Sequence, residues 1–284
     1  MNRREKKMLL AVDIGASKVD VALAAVDGGL SDRRRIATPR TNDPEALFAG
    51  VVAATQPLAH TAAAVGIGCP GPFPVRGRAV SPFNMPAWDS FPLAARMEDA
   101  LQLPVHLDND ANCFALAEWT WGAARGHDDA MCVVVSTGIG SGIISGGRLL
   151  TGSGGNAGEI GHFVVDRAGP VCSCGNAGCL EALASGTAIA LRTGRPASDA
   201  TEADIARCAA DVARAAAGAA TLLDLSIVVL GGSVALGFGS RFADAVAANI
   251  PQHMPRQRAL PVRLAELGDE APLLGAAALA LTGS

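Results

Sequence analysis

The sequence lacks the marks of several functional classes. Positive charge is not in excess: 23 Lys and Arg face 27 Asp and Glu, a formal net charge of −4. That balance gives no reason to expect nucleic acid or an anionic membrane as partner. The two short basic runs, Arg3-Arg4-Glu5-Lys6-Lys7 and Arg33-Arg34-Arg35, read as solvated faces. No long hydrophobic run is present. The longest apolar stretch nearly free of charge, residues 271–281, is too short to span a bilayer. The N-terminus is basic, but Asp13 and Lys18 soon interrupt the apolar segment behind it, which makes a poor signal peptide. A cytoplasmic protein is expected. The spacing G-x4-G-K-[ST] is also missing, which argues against a Walker-type nucleotide fold. Seven cysteines, an odd number, argue against a fully paired disulfide framework.

What is present is concentrated in residues 158–181. His162, Cys172, Cys174 and Cys179 form a closed set of tetrahedral metal ligands, and such sets are usually structural zinc sites. Cys172 and Cys174 are too close in sequence for a strain-free disulfide. Glu159 and Glu181 bracket the set, either as ordinary surface charges or as groups that a metal-pinned loop holds in place. The other four cysteines, Cys69, Cys113, Cys132 and Cys208, read as small hydrophobes.

The 284 residues, half of them apolar, suffice for one large domain or two ordinary ones. Residues 8–14, 19–26 and 34–37 read as a β-meander opening on a Gly turn. A helix over 44–56 begins with Pro in its first turn, and 63–69 reads as a buried strand. Residues 70–91 are irregular and rich in Pro and Gly, and so long a connection is usually functional or disordered. A helix over 92–101 and a strand over 105–107 follow. The pattern then restarts: a helix over 110–121, a strand over 130–136, and a Gly-rich turn into a second strand. Further helices are expected over 180–190, 201–223, 238–248 and 272–281, and further strands over 226–230 and 261–265. Thr201 and Asp204 have capping-box spacing. Two strand–Gly–strand openings, at residues 13 and 137, suggest two similar halves.

Three Gly turns have the small residues that let backbone approach a phosphate. The first is Asp13-Ile14-Gly15-Ala16-Ser17-Lys18, where Asp13 has the chemistry to hold Mg²⁺ directly or through water. The second runs from Ser136 through Thr137, Gly138 and Gly140, and the third is Gly231-Gly232. Together they suggest a nucleotide clamped between domains. Asn109-Asp110 follows a strand and opens a helix. It reads equally as an N-cap and as a carboxylate at the ligand-binding end of a sheet, able to take a proton from an attacking hydroxyl.

In this order the motifs resemble the ROK family of sugar kinases and sugar-responsive repressors. The resemblance rests on Asp13-x-Gly15-x-x-Lys18, Pro70-Gly71, Asn109-Asp110-x-Asn112 and Thr137-Gly138-x-Gly140. It rests also on Gly158-Glu-x-Gly-His162 with Cys-x-Cys-Gly-x-x-Gly-Cys-x-Glu181, and on Gly231-Gly232. It covers nearly the whole chain and implies an actin-like, ribonuclease H-like α/β fold of two domains. ATP and sugar would lie in the cleft between residues 1–107 and 108–270, with a helix over about 271–284 packing back on the first domain. The resemblance makes Asp110 the general base for the sugar 6-hydroxyl. Gly71, Asn84, Asn109, Glu159, His162 and Glu181 would bind the sugar. Asp13, Gly15, Ser17, Lys18, Thr137, Gly138, Gly140, Gly231 and Gly232 would surround MgATP, and a structural Zn²⁺ would sit on His162, Cys172, Cys174 and Cys179. A homo-oligomer, dimer or tetramer, is expected.

The chain departs from the family pattern at Ala16, where Gly is usual and a Cβ would crowd the phosphate, and at Asp108, where Glu is frequent. The substrate is expected to be a hexose or hexosamine, with N-acetylmannosamine slightly favoured over glucose and over kanosamine or another amino sugar. A sugar-sensing regulator of the same family is the alternative of another class. It is disfavoured because about seven residues, too few for a helix-turn-helix domain, precede the first strand.

Overall fold

The computed structural model describes residues 8–75 and 77–283, so the run Arg3-Arg4-Glu5-Lys6-Lys7 lies outside the described residues. The chain divides into two compact units, Met1–Ala117 with Asp269–Ser284, and Glu118–Gly268.

In the first unit, β1 (Met8–Ile14), β2 (Lys18–Ala24) and β3 (Leu30–Ala37) form an antiparallel meander. Helix α1 (Pro44–Ala59) starts on Asp43, whose side chain accepts the Glu45 N–H, and leads to β4 (Ala62–Cys69). Next come α2 (Leu93–Leu101), β5 (Val105–Asn109) and α3 (Asp110–Thr120). The sheet order is β3-β2-β1-β4-β5, with β4 parallel to both β1 and β5. The central strands read as continuous apolar runs because both their faces are buried.

The second unit repeats this plan. Strands β6 (Ala130–Val135), β7 (Ile139–Ser145) and β8 (Arg148–Leu149) form the meander. Helices α4 (Leu180–Ala184), α5 (Gly186–Thr193) and α6 (Glu202–Leu223) lead to β9 (Ile227–Gly231). Helices α7 (Ser233–Phe238) and α8 (Ser240–Asn249) then lead to β10 (Val262–Leu264). The order β8-β7-β6-β9-β10 matches the first sheet strand for strand, so the two similar halves are topological copies. Helix α6 has the expected Thr201–Asp204 capping box and buries Ala209, Ala213, Ala216 and Ala220. The final helix, α9 (Ala271–Thr282), packs on β1 and β4 of the first unit.

Three expectations shift. The helix expected over 180–190 is two helices: Ser185 has extended backbone and its hydroxyl accepts the Ala188 N–H, a cap that starts α5 afresh. The helix expected over 238–248 starts at Ser240, because Gly239 at φ +71° separates it from α7. The units divide at 117/118 rather than at 107/108. Most of α3, residues 110–117, belongs to the first unit, where a β-carbon on Gly275 of α9 would stand 2.0 Å from the Cys113 carbonyl oxygen. Cys69, Cys113, Cys132 and Cys208 are all buried, as small hydrophobes are. Among the described residues no helix is long and apolar enough to cross a membrane.

Candidate functional site

The expected site residues divide between the units, and in the first unit parallel strands bring them to one edge. Asp13 on β1 pairs with Gly68 on β4, which pairs with Asp108 on β5; Cys69 likewise pairs with Asn109. These strands end together, so Asp13, Gly71, Asn109 and Asp110 share the C-terminal edge of the sheet, where open α/β sheets bind ligands. A β-carbon on Gly71 would lie 3.4 Å from Asn109 Nδ2, so the two are neighbours. Asn109 and Asp110 both accept the Ala111 N–H, at 2.8 and 2.9 Å, which is the capping reading of this pair.

The turn after β1 is closed by Gly15 N–H donating to the Lys18 carbonyl at 2.9 Å. Thr38 takes the other outward groups, its hydroxyl donating to the Gly15 carbonyl (2.6 Å) and its N–H to the Ser17 carbonyl (3.2 Å). The N–H groups of Ala16 and Ser17 have no partner among the described residues, which leaves two donors for an anion. Ala16 is exposed and lines a cavity of about 500 Å³ together with Asn84, Thr38 and Arg40. Among the described residues no acidic side chain lines that cavity. The irregular segment that carries Asn84 is anchored by Trp88, which is buried, stacks on Phe91 at 5.0 Å and donates its indole N–H to the Pro44 carbonyl.

Burial dominates the charges here. It raises the Asp13 carboxyl from 3.8 to about 6, with Lys18 opposing and Asp110 adding to the rise. Asp110 is accessible to solvent, yet the protein packed around it also raises its carboxyl from the ordinary value, against the pull of the Ala111 N–H. Asp20 behaves oppositely: burial would raise it, but hydrogen bonds from Arg35, Arg33 and Lys18 outweigh burial and hold it at about 2. The arginine run is thus not simply solvated. Arg33 and Arg35, two apart on a strand, reach Asp20 at 3.3 and 2.7 Å, and Lys18 reaches it at 3.2 Å.

An ionised Asp13 therefore costs stability above its raised pKa. Asp13→Asn is expected to raise the melting temperature of the nucleotide-free protein at about pH 7.5 by about 2 °C or more. The gain should shrink as pH falls from about 6 toward 3.8, because the native aspartate is then protonated and no longer penalised. Thermal scans across pH check this.

In the second unit, β6 and β9 are parallel with Val134 opposite Gly231, so Thr137, Gly138 and Gly232 follow strands that end on one edge. Gly140 lies within β7 opposite Val134, and Gly232 is the N-cap of α7. The N–H groups of Thr137 and Gly138 have no partner among the described residues, whereas the Thr137 carbonyl accepts the Thr187 hydroxyl at 2.9 Å. Strand β7 also fixes the start of the cysteine segment: Ser141 donates both its hydroxyl (2.6 Å) and its N–H (3.1 Å) to the Gly158 carbonyl. Glu159 is exposed and its carboxylate has no partner among the described residues. Glu181 accepts the Ile139 N–H at 3.0 Å.

The ligand atoms of His162, Cys172, Cys174 and Cys179 lie within 4.8 Å of one another. Cys174 Sγ and Cys179 Sγ are 3.6 Å apart, and Cys172 Sγ is 3.7 Å from His162 Nδ1. A tetrahedral ion with metal–sulfur distances of about 2.3 Å needs edges of about 3.8 Å. The donor set fits such an ion, and using Nδ1 for it would leave His162 Nε2 for a second partner.

A model of the ROK family matches residues 9–282. The chain belongs to the ROK family. This ROK chain is 38% identical over 288 residues to an N-acetylmannosamine kinase of Escherichia fergusonii, covering 95% of this chain and 97% of that one. It is similar to the solved ROK hexokinase of Thermus thermophilus, with TM-score 0.87, 34% identity and coverage of 97% and 98%. The ROK family glucokinase of Streptomyces griseus, solved with glucose and AMPPNP, gives TM-score 0.80 and 30% identity, with coverage of 97% and 100%. The two-sheet α/β architecture is the actin-like kinase fold.

The structure adds residues that the motifs do not disclose. Asp108, the departure from the ROK pattern, accepts the Asn109 N–H at 2.7 Å and the Asn112 side-chain amide at 2.8 Å, and so braces the turn that presents Asp110. Arg40 and Thr38 lie outside every motif, and Asp20 is visible only through strand register. The single available signal was the i, i+4 spacing of Asp108 and Asn112.

Proposed function

We propose that this ROK sugar kinase transfers the γ-phosphate of ATP to the 6-hydroxyl of a hexose or hexosamine, with N-acetylmannosamine as the favoured substrate. The observation that carries the chemistry is Asp110: an accessible carboxylate with a raised pKa, oriented by its own N-cap bond on a turn that Asp108 braces, at the edge where three strands end. Its remaining lone pairs would accept the hydroxyl proton as the sugar oxygen attacks phosphorus and ADP leaves with the bridging electron pair. Gly71, Asn84, Asn109, Glu159, His162 and Glu181 would bind ring hydroxyls. The free N–H groups of Ala16 and Ser17, and those of Thr137 and Gly138, would receive phosphates, with Gly15, Gly140, Gly231 and Gly232 giving backbone room. Lys18 adds positive charge there, although Asp20 holds it. Asp13 would engage Mg²⁺, which supplies charge neutralisation on the phosphates. His162, Cys172, Cys174 and Cys179 would hold a structural Zn²⁺. The enzyme is read as cytoplasmic and homo-oligomeric.

The leaning toward N-acetylmannosamine rests on the full-length relative from Escherichia fergusonii. Coupled ADP-release assays should give the highest kcat/KM for N-acetylmannosamine among that sugar, glucose, N-acetylglucosamine and kanosamine. Tight sugar binding without ATP consumption would replace the kinase reading by a sensor.

A further inference from the structure

Glu181 meets two demands at once. It stands in the first turn of α4, two residues beyond Cys179, where it would accept a sugar hydroxyl. Yet its Oε2 is already engaged: it accepts the Ile139 N–H at 3.0 Å, and a β-carbon on Gly138 would stand 2.7 Å from it. The carboxylate therefore lies directly against the Thr137–Gly138 turn. The turn is also held by Gly186 N–H donating to the Ser136 carbonyl (2.8 Å) and by the Thr187 hydroxyl donating to the Thr137 carbonyl (2.9 Å). What remains open on the turn are the N–H groups of Thr137 and Gly138. What remains open on Glu181 is Oε1, since a carboxylate has about four acceptor positions.

We propose that Glu181 is a positioning residue that couples the two substrates, one oxygen taking a sugar hydroxyl while the other holds the nucleotide turn. This rests on the sugar-kinase reading above. A hydroxyl donated to Oε1 fixes the side chain in the rotamer that holds Ile139. It also draws negative charge away from the turn that receives phosphate. Both effects favour nucleotide binding, so sugar and nucleotide bind with positive coupling, and the coupling is reciprocal.

Isothermal titration with AMPPNP, with and without saturating N-acetylmannosamine, measures that coupling without turnover. In the wild-type protein the sugar should tighten AMPPNP by at least about fivefold. In Glu181→Ala, at sugar concentrations raised to saturation, the ratio should collapse to within about twofold of unity. A residue that merely touches the sugar would weaken sugar binding and leave the ratio at its wild-type value, which would overturn the proposal. Gly138→Ala probes the same link from the nucleotide side. Its methyl must displace the carboxylate, so sugar affinity measured without nucleotide should fall by at least about fivefold. Unchanged sugar affinity in a folded Gly138→Ala protein would overturn the proposal too, and if that variant does not fold, the Glu181→Ala ratio decides. A wild-type ratio of one also rejects it. Wild-type protein that binds neither a sugar nor AMPPNP would instead reject the sugar-kinase reading.

Discussion

Asp110→Asn should lower kcat by about three orders of magnitude while leaving the sugar Kd within about threefold of wild type. The amide keeps the size of the carboxylate, and its oxygen still accepts the Ala111 N–H, so the start of α3 is preserved. Asp108 still braces the turn through Asn109 and Asn112. Only the ability to take a proton is removed, so the loss falls on turnover. The pH profile carries a second signature. Desolvation raises the Asp110 pKa, so the carboxylate is protonated at a higher pH than a free aspartate would be. The acid limb of kcat should therefore lie above the ordinary carboxylate range, and the residual activity of Asp110→Asn should lack that limb. Steady-state rates across pH, paired with calorimetric sugar binding, check both statements. Wild-type kcat in this variant would remove Asp110 from the mechanism.

Metal removal should act on the other substrate parameter. The cysteine segment has little regular structure of its own; its order rests on short backbone bonds such as Cys172 N–H to the Asn176 carbonyl (2.7 Å) and Gly178 N–H to the Pro170 carbonyl (2.8 Å). Glu159 precedes His162 by three residues and Glu181 follows Cys179 by two, so loss of a shared ion frees both carboxylates from one anchor. Protein stripped by chelation and verified metal-free should show a sugar KM raised by at least about tenfold. The ATP KM should change less, because the Asp13–Lys18 turn is held by its own bonds and by Thr38. Readdition of Zn²⁺ should restore the sugar KM. An unchanged sugar KM in the metal-free protein would sever metal from substrate.

Legibility in the sequence followed the range of the interactions. The metal set, the Asn109-Asp110 cap and the first Gly turn are each made by residues close together in the chain, so spacing alone suggests that each can form. Strand periodicity likewise sufficed to suggest paired halves. The Asp20 network was not legible, because only the pairing register of β2 and β3 brings Arg33 and Arg35, distant in sequence, to that carboxylate. Glu181 and Ile139 lie 42 residues apart, and no local pattern announces their bond. The break at Ser185 was missed for a different reason: the apolar periodicity runs on through a residue whose hydroxyl competes for the backbone. Trp88, which turns an irregular segment into an anchored one, shows its role only once Pro44 and Phe91 are placed around it.

Helix α9 sets the order in which the chain can be completed during synthesis. Glu118–Gly268 is continuous, so the second unit has all its residues once Gly268 has left the ribosome. The first unit, although translated earlier, still lacks the helix that covers β1 and β4. Leu273, Leu274, Ala276, Ala277, Ala278 and Leu279 are all buried in the finished protein. Until they arrive, one face of the opening sheet is exposed to whatever else in the cell binds apolar surface. The half of the molecule that begins first is thus the half that finishes last, and a nascent chain stalled before residue 271 would present chaperones with one closed domain and one open one.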